Sequence, residues 1–292
     1  ISLQSFNFLN KVPRTIYLDS RFRNDDCFKV QLAEWAILGT KTKVLQHDLN
    51  SLVDFDSLFE CDEIFDEYLS WDAPKFPPSL RINSFVSKYK KIKSSNSLPE
   101  KDLYVCRAIP RKQSFSLAYT MSHTDSIIKG RENFSTLSTN LEIPTYIRLR
   151  QGNLINDYND KLYFKESDKL RFSESNRDIL NLFSSSRIIV FEGLSTGVCQ
   201  CLALEKPFLI FLNQDYLDLR SGKLKEFFTE LRDMEIICTS ATQLVDSLST
   251  KFILKYKTSA YQKRLLMLKQ KHTPISKNYV EDWINFTLNT DD

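Results

Sequence analysis

The sequence is poor in the residues that mark several specialised folds and metal sites. Its 292 residues include only six glycines, nine prolines and three histidines. So little glycine and proline argues against a propeller, a collagen-like array or a long flexible linker. The histidines at 47, 123 and 272 are too sparse for a histidine metal site, and no HExxH motif is present. We therefore expect no bound metal.

Several nucleotide and hydrolase motifs are missing as well. The GxGxxG fingerprint of nicotinamide cofactors does not occur, and neither does the GxxxxGK[ST] P-loop. Residues Gly193–Gly197 do not match the GxSxG nucleophile elbow. These absences argue against an oxidoreductase, a P-loop NTPase, a serine hydrolase and a zinc enzyme, and we expect no cofactor.

Cysteine usage indicates the compartment, apolar runs bear on membrane spans, and net charge bears on nucleic-acid partners. The six cysteines form no CxxC pair, so mostly buried, reduced thiols in a cytoplasmic protein are expected. We expect neither a transmembrane segment nor a signal peptide, because no apolar run approaches the length of a membrane span. The net charge of +3 requires no nucleic-acid partner. Because the first residue is Ile1, we expect the sequence to be part of a longer protein.

A strand–helix–strand pattern lies between residues 187 and 212. Ile188–Phe191 has the composition of a strand buried on both faces, and Phe208–Leu212 forms a second apolar run. Val198–Lys206, between them, is rich in helix formers and is followed by a proline. This βαβ unit predicts a parallel sheet with a right-handed crossover. The loop after its first strand should lie at the carboxyl edge, where open α/β sheets bind ligands.

This loop carries the first group of candidate site residues, Glu192, Gly193, Ser195 and Thr196. Two hydroxyls beside the unpaired N–H groups of a helix N-terminus make an anion or phosphate site. The alternative is that Ser195 and Thr196 only cap their helix. Glu192 suits hydrogen bonds to a ribose, with a role as partner of the helix dipole as the alternative.

Arginines form a second candidate group at two other strand ends. The predicted strand Asp102–Ala108 leads into a basic loop, and Pro144–Arg150 ends in two arginines. Guanidinium groups at one sheet edge would suit a diphosphate or a carboxylate, whereas ordinary solvated loop arginines are the alternative. The residues are Arg107, Arg111, Arg148 and Arg150.

A third candidate group, Gln46, His47 and Asp48, follows the predicted strand Lys43–Gln46. A histidine at a carboxyl edge beside an aspartate is a candidate general base. The alternative is an ordinary core or surface histidine.

Alternation of short strands and helices predicts two Rossmann-like α/β domains with parallel sheets. Residues 1–97 form a partial N-terminal domain and a linker, in which the Lys/Ser-rich Ser84–Ser97 is a solvated loop. Residues 98–272 form the complete second domain, and 273–292 are a tail. We also predict that the basic helix Tyr261–Lys271 packs back on the first domain. The other predicted helices are 27–38, 118–137, 173–183 (opened by Ser173 or Ser175), 224–233 and 242–248.

Six segments match, in the same order, those of a known family. They are Glu34–Asp48, Tyr68–Trp71, Leu103–Arg111, Tyr146–Arg150, Ser186–Pro207 and Tyr261–His272. With them the sequence resembles GT-B glycosyltransferases, and more narrowly the transferases of bacterial surface-carbohydrate and O-antigen clusters. One departure is clear: Asp48–Leu49 stand where the family has two glycines after Gln-His.

The resemblance implies transfer of a sugar or sugar acid from a nucleotide sugar to a surface polysaccharide, without a metal. His47 would be the base, Ser195 and Thr196 would hold the donor phosphate with help from Arg107 and Arg148, and Glu192 would bind the ribose. The expected partners are the nucleotide sugar and a glycan acceptor, with a lipid-linked acceptor and peripheral contact at the inner face of the membrane as options. The alternatives are a nucleotide-sugar epimerase of the same fold and a non-catalytic binding or scaffold protein.

Overall fold

The computed structural model describes two parallel β-sheets and the helices packed against them. The described residues are 12–18, 26–45, 66–69, 77, 79–91, 101–106, 121–149, 160–173, 178–212 and 225–289. Within these ranges, no helix combines the length and the apolar character that a membrane span requires.

The first sheet has three parallel strands and a helix between the first two. Its elements are β1 (Thr15–Leu18), α1 (Asp26–Ile37), β2 (Lys41–Leu45) and β3 (Glu67–Leu69). Leu18, Leu32 and Val44 form its small core, and each is less than a tenth exposed. Gly39 follows α1 with a φ of 91°. Glycine adopts this left-handed conformation without steric strain, because it has no Cβ atom. The predicted helix 27–38 and the predicted strand Lys43–Gln46 are confirmed here as α1 and β2.

The second sheet has six parallel strands. They are β4 (Asp102–Val105), β5 (Thr145–Arg148), β6 (Leu170–Phe172), β7 (Ile189–Glu192), β8 (Phe208–Phe211) and β9 (Ile237–Cys238). Their spatial order is β6-β5-β4-β7-β8-β9. The chain builds outward from β4 to β6, returns to pair β7 with the free edge of β4, and continues to β9. This is the doubly wound Rossmann order, which reverses between β4 and β7.

Helices cover both faces of the six-stranded sheet. They are α2 (Leu80–Lys91), α3 (Met121–Leu137), α4 (Ile179–Ser184), α5 (Thr196–Leu204), α6 (Lys225–Asp233), α7 (Ala241–Ser247), α8 (Thr250–Tyr256) and α9 (Ser259–His272). Tyr104 of β4 stacks on Phe134 of α3, whereas Phe191 of β7 packs against Phe183 of α4. Because Tyr104 pairs in register with Val190, Tyr104 and Phe191 point to opposite faces. Helices α3 and α4 therefore lie on opposite sides of the sheet.

Strand β7 lies at the centre of the larger core. All its residues are less than a tenth exposed, as an apolar β-rich run between two neighbouring strands predicts. Helix α5 brings Cys199 and Cys201 into the same core with no exposed surface. The expectation of mostly buried free thiols holds for the described cysteines, of which Cys27 is the exposed exception.

The structure corrects the prediction for residues 84–97. Up to Lys91 these residues belong to α2 and are not a solvated linker. Ile82, Phe85 and Val86 lie on one stripe of this helix and pack into the core of the second domain. The abundance of lysine and serine on the other faces of α2 concealed this stripe in the sequence.

The segment before β7 also differs from its prediction. The helix predicted at 173–183 begins only at Ile179, and the carboxylate of Asp178 caps it by accepting a hydrogen bond from the Leu180 N–H. Ser173 does not open it, and Ser175 lies outside the described residues. Leu170–Phe172 forms β6, which has three residues, as does β3. Such short strands offer too little alternation to be recognised from the sequence.

The last part of the chain returns to the first sheet by a different route from the one predicted. Helix α9, which covers the basic segment 261–271, packs against α5 of the second domain. The segment predicted as a tail contains a further helix, α10 (Tyr279–Asn289). Trp283 and Phe286 of α10 contact Tyr17 of β1, each with ring centroids 6.5 Å apart.

A buried ion pair joins β4 to the start of β7. Arg187 donates to both carboxylate oxygens of Asp102 at 3.0 and 2.8 Å, and burial raises the pKa of Asp102. We expect Asp102→Ala to lower the free energy of unfolding by about 3–5 kcal/mol, because it leaves the nearly buried Arg187 without its carboxylate. Urea denaturation measures this loss.

The exposed pair between Glu230 and Arg264 provides the matched control. Its N–O distance is also 2.8 Å, but the two side chains are 43% and 40% exposed. Glu230→Ala should lower the free energy of unfolding by less than about 1 kcal/mol, because water screens the charges of an exposed pair. Equal losses in the two variants would contradict the assignment of the Asp102 pair to the core.

Candidate functional site

The candidate site lies at the carboxyl ends of β4 and β7, where the strand order reverses. The loop after β4 leads toward β5 and the loop after β7 leads toward β8, so the two connections diverge. A crevice at such a point is the usual ligand site of an open α/β sheet. Val105 and Phe191 pair across this edge, and the turn into α5 follows directly.

The turn between β7 and α5 has a well-defined backbone. Gly193 has a φ of 97°, which favours glycine, and its N–H donates to the Phe191 carbonyl at 3.0 Å. Ser195 is extended, with a φ of −150°, and holds the N-cap position of α5. The structure thus places the hydroxyls of Ser195 and Thr196 where the sequence predicts them.

Ser195 does not use its side chain to cap α5. Its hydroxyl makes no capping hydrogen bond, whereas the Ser240 hydroxyl accepts from the Gln243 N–H at the head of α7. The Val198 N–H instead donates to the backbone carbonyl of Ser195 at 3.0 Å. The first N–H groups of a helix and the positive end of its dipole favour an anion. Within the described residues, the Ser195 hydroxyl is thus available to such a ligand.

Close packing fixes the height of α5 above the strand. A Cβ atom at Gly197 would lie 2.4 Å from Cε1 and 2.9 Å from Cζ of the Phe191 ring. The ring is 2% exposed and also packs against Phe183, so it has little room to move. Glycine at this position therefore lets the start of the helix sit directly on β7.

A buried polar network lies beneath the turn. The Glu192 carboxylate accepts hydrogen bonds from Tyr104 Oη at 2.8 Å, from Arg131 Nε at 2.7 Å and from Arg131 Nη2 at 2.6 Å. Arg131 Nη1 also contacts Asp160 Oδ1 at 3.1 Å. The side chains of Arg131, Asp160 and Glu192 are at most 4% exposed. Glu192 is thus buried against α3, and its contact with a ribose stays a prediction.

Burial and charge together set the protonation of this network. Burial alone would lower the pKa of Arg131, but the Glu192 carboxylate raises it overall, so the guanidinium is charged. Burial, followed by the charge of Glu192, raises the pKa of Tyr104, so its phenol remains a donor. Burial likewise raises the pKa of the Cys106 thiol at the end of β4.

The partners of Glu192 were not predicted from the sequence. Arg131 lies on the same stripe of α3 as Phe134 and Ser135, which are both buried. A charged residue on the buried stripe of a helix needs a buried partner of opposite charge. The spacing thus contained a signal for Arg131, although nothing in it identifies Tyr104 or Asp160 as neighbours.

Of the predicted arginines, Arg148 is described, and it lies at the expected edge. It ends β5 in register with Val105, which in turn pairs with Phe191, so Arg148 is two strands or roughly 10 Å from β7. Burial lowers its pKa, and the charge of Asp178 acts in the opposite direction. The other predicted site residues lie outside the described residues: Gln46, His47, Asp48, Arg107, Arg111 and Arg150. Among the described residues, no group of His, Cys, Asp or Glu is arranged to hold a metal ion.

We expect Gly197→Ala to destabilise the protein by about 1–3 kcal/mol, because the new methyl group overlaps the Phe191 ring. Chemical denaturation measures the change. Phe191→Leu/Gly197→Ala is the control: a smaller side chain should accept the methyl group, so the double variant should lose less than the sum of the single losses. Strict additivity would show that the two residues do not compete for space.

Comparisons with solved structures bear on the fold. A UDP-GlcNAc 2-epimerase from Neisseria meningitidis, solved with UDP-GlcNAc, is 12% identical, with a TM-score of 0.51 over 96% of this chain and 77% of that chain. S. aureus MnaA, solved with UDP, is 11% identical, with a TM-score of 0.51 over 95% and 75%. The wall teichoic acid polymerase TagF is 16% identical, with a TM-score of 0.38 over 86% of this chain, which spans 57% of the TagF chain. At these identities the likeness concerns the fold alone, which is α/β and GT-B-like, with parallel sheets as predicted.

The amino-acid sequence matches the model of one transferase family over most of its length. No curated protein matches the chain significantly. The model of the LIC12162 family transferases matches residues 2–278, a range that includes both sheets and the turn before α5. The chain therefore belongs to the LIC12162 family of transferases.

Proposed function

We propose that this transferase moves a sugar or sugar acid from a nucleotide-activated donor to a bacterial surface polysaccharide. The observation that carries the proposal is the head of α5, where the Ser195 hydroxyl is not used for capping and the helix begins at the reversal of strand order. Transfer requires stabilisation of the charge that develops on the leaving phosphate. Fixed helix N–H groups and arginines supply this stabilisation without a metal.

In this proposal the donor lies against the second domain. The hydroxyls of Ser195 and Thr196 and the first N–H groups of α5 bind its phosphates, and Gly193 provides the sharp turn that precedes them. Ser195 is half-buried and Thr196 is buried, so the Ser195 hydroxyl is the more accessible of the two. Arg148 at the end of β5 and Arg107 after β4 add positive charge, and Arg111 and Arg150 are further candidates. We assign Glu192 to holding the turn, because its carboxylate is buried against α3, and the predicted contact with the ribose is the alternative role.

The acceptor faces the first domain. Deprotonation of its hydroxyl needs a general base, and His47 comes two residues after the end of β2 in the sequence. Gln46 and Asp48 flank this base. The acceptor is a glycan, and a lipid-linked one would bring the protein to the inner, cytoplasmic face of the membrane.

Two alternatives remain to be separated from transfer. The fold match to a UDP-GlcNAc 2-epimerase favours an epimerase, whereas membership in a transferase family favours transfer. Epimerised free sugar nucleotide would indicate the epimerase, and acceptor-dependent release of nucleotide would indicate transfer. The other alternative is a non-catalytic binding or scaffold protein, suggested by Asp48–Leu49 in place of two glycines.

We expect one class among CMP-, CDP-, UDP- and GDP-sugars to stabilise the protein in a thermal-shift screen. A ligand that binds only the native state, present at 100 times its dissociation constant, raises the free energy of unfolding by about 2.7 kcal/mol. Ser195→Ala/Thr196→Ala should abolish this gain, because it removes both hydroxyls at the head of α5.

Ser249→Ala is the matched control for this variant. Ser249 also occupies an N-cap position without a side-chain capping bond, but it heads α8. The carbonyl of the neighbouring Leu248 accepts from Arg187, which precedes the amino end of β7, so Ser249 lies toward the opposite end of the strand from the turn into α5. Its replacement should leave the ligand-induced shift unchanged. A shift that survives in Ser195→Ala/Thr196→Ala would place the donor elsewhere, and no shift in the folded wild type would favour the scaffold alternative.

His47→Ala should separate binding from chemistry. If His47 is the base, the variant keeps the donor-induced thermal shift but loses about 100-fold or more in turnover, the usual contribution of a positioned base. Release of nucleotide in the presence of acceptor measures the turnover. A loss of the thermal shift together with turnover would assign His47 to the donor site instead.

A further inference from the structure

Glu192 connects the buried network to the donor turn through the backbone. It is the last residue of β7, and Gly193, with its left-handed backbone, follows immediately. A displacement of the Glu192 carboxylate that carries its backbone along changes the direction in which the chain enters the turn. The position of the Ser195 hydroxyl depends on that direction.

The groups that hold Glu192 come from the opposite side of the crevice. Tyr104 belongs to β4, and Arg131 belongs to α3, which follows β4 in the chain. The guanidinium group binds the carboxylate through Nε and Nη2, an arrangement that fixes orientation as well as distance. The ring of Phe164 covers the guanidinium, whose carbon atom is 5.6 Å from the ring centroid.

A network of this kind is a poor source of net stability. Removing buried charges from water costs several kcal/mol for each ion, and apolar residues of similar volume often serve stability as well or better. What the network provides is geometry, because its hydrogen bonds allow one arrangement of the carboxylate. This arrangement lies directly before the residues that would bind a phosphate.

We propose that Tyr104 and Arg131 are positioning residues for donor binding. Through Glu192 they hold residues 193–196 in the orientation that presents the Ser195 hydroxyl and the head of α5 to the donor phosphate. The inference rests on the function proposed above for this turn. Displacements of about 1 Å at a binding group are enough to weaken binding and catalysis substantially.

Tyr104→Phe tests the proposal with little risk to folding, because it removes a single hydroxyl and keeps the ring stacked on Phe134. Tyr261→Phe is the matched control: Tyr261 is also 5% exposed or less, and its hydroxyl has no hydrogen-bond partner in the described part of the chain. Hydrogen exchange of peptides covering 193–204 reports the turn without any ligand. Donor affinity is measured separately by titration with the nucleotide sugar found in the screen.

We expect Tyr104→Phe to speed amide hydrogen exchange by about five- to tenfold in the loop between β7 and α5 and in the first helical turn of α5. This factor corresponds to one lost hydrogen bond. The dissociation constant of the donor should rise by a similar factor, about five- to tenfold. Tyr261→Phe should change neither quantity. Arg131→Lys keeps the charge but not the two-nitrogen contact, and where it folds it should show larger effects in the same direction.

Two results would overturn the proposal. Wild-type exchange in Tyr104→Phe would show that the network does not hold the turn. Faster exchange with unchanged donor affinity would show that the position of the turn does not matter for binding. If the wild type binds no nucleotide sugar, the proposed function fails instead, and the exchange comparison still decides whether Tyr104 holds the turn.

Discussion

The pairing of β7 with the free edge of β4 is the constraint on which the larger domain depends. Because parallel strands need right-handed crossovers, a chain that builds β4, β5 and β6 in one direction must cross back over the sheet to place β7. This return puts α4 on the face opposite α3 and leaves the carboxyl ends of β4 and β7 with diverging loops. The crevice follows from the order of the strands before any side chain in it is considered.

The sequence was most informative where one kind of signal dominated. The two apolar runs around α5 are rich in β-branched and aromatic residues and are bounded by polar turns and a proline, so both strands and the helix were predicted to within two residues. The opposite case is α2, where the lysines and serines outnumber the apolar residues that pack. The apolar stripe of α2 is recognised only in the folded structure, where Ile82, Phe85 and Val86 pack into the core of the second domain.

In the candidate site, too, some features follow from local sequence and others only from the tertiary structure. The position of Ser195 follows from local sequence, because a hydroxyl residue between a strand and a helix is a common N-cap. What its side chain does there depends on the tertiary structure, and the same is true of Ser249 and Ser240, of which only Ser240 caps with its hydroxyl. The pairing of Arg131 with Glu192 joins residues 61 positions apart, and no local pattern identifies such a partner.

The contact of α10 with the first sheet affects the order in which the protein can be completed during synthesis. Tyr17 and Trp283 meet although 266 positions separate them, and Asn83 accepts from the Ser276 N–H at 2.8 Å where the chain approaches α10. A ribosome that adds about 5–20 residues per second needs roughly 13–53 s between the two aromatic residues. During that interval the ring of Tyr17 and the strand beneath it lack their final cover. The first sheet, although synthesised before the second, therefore reaches its native environment only after α10 has been made.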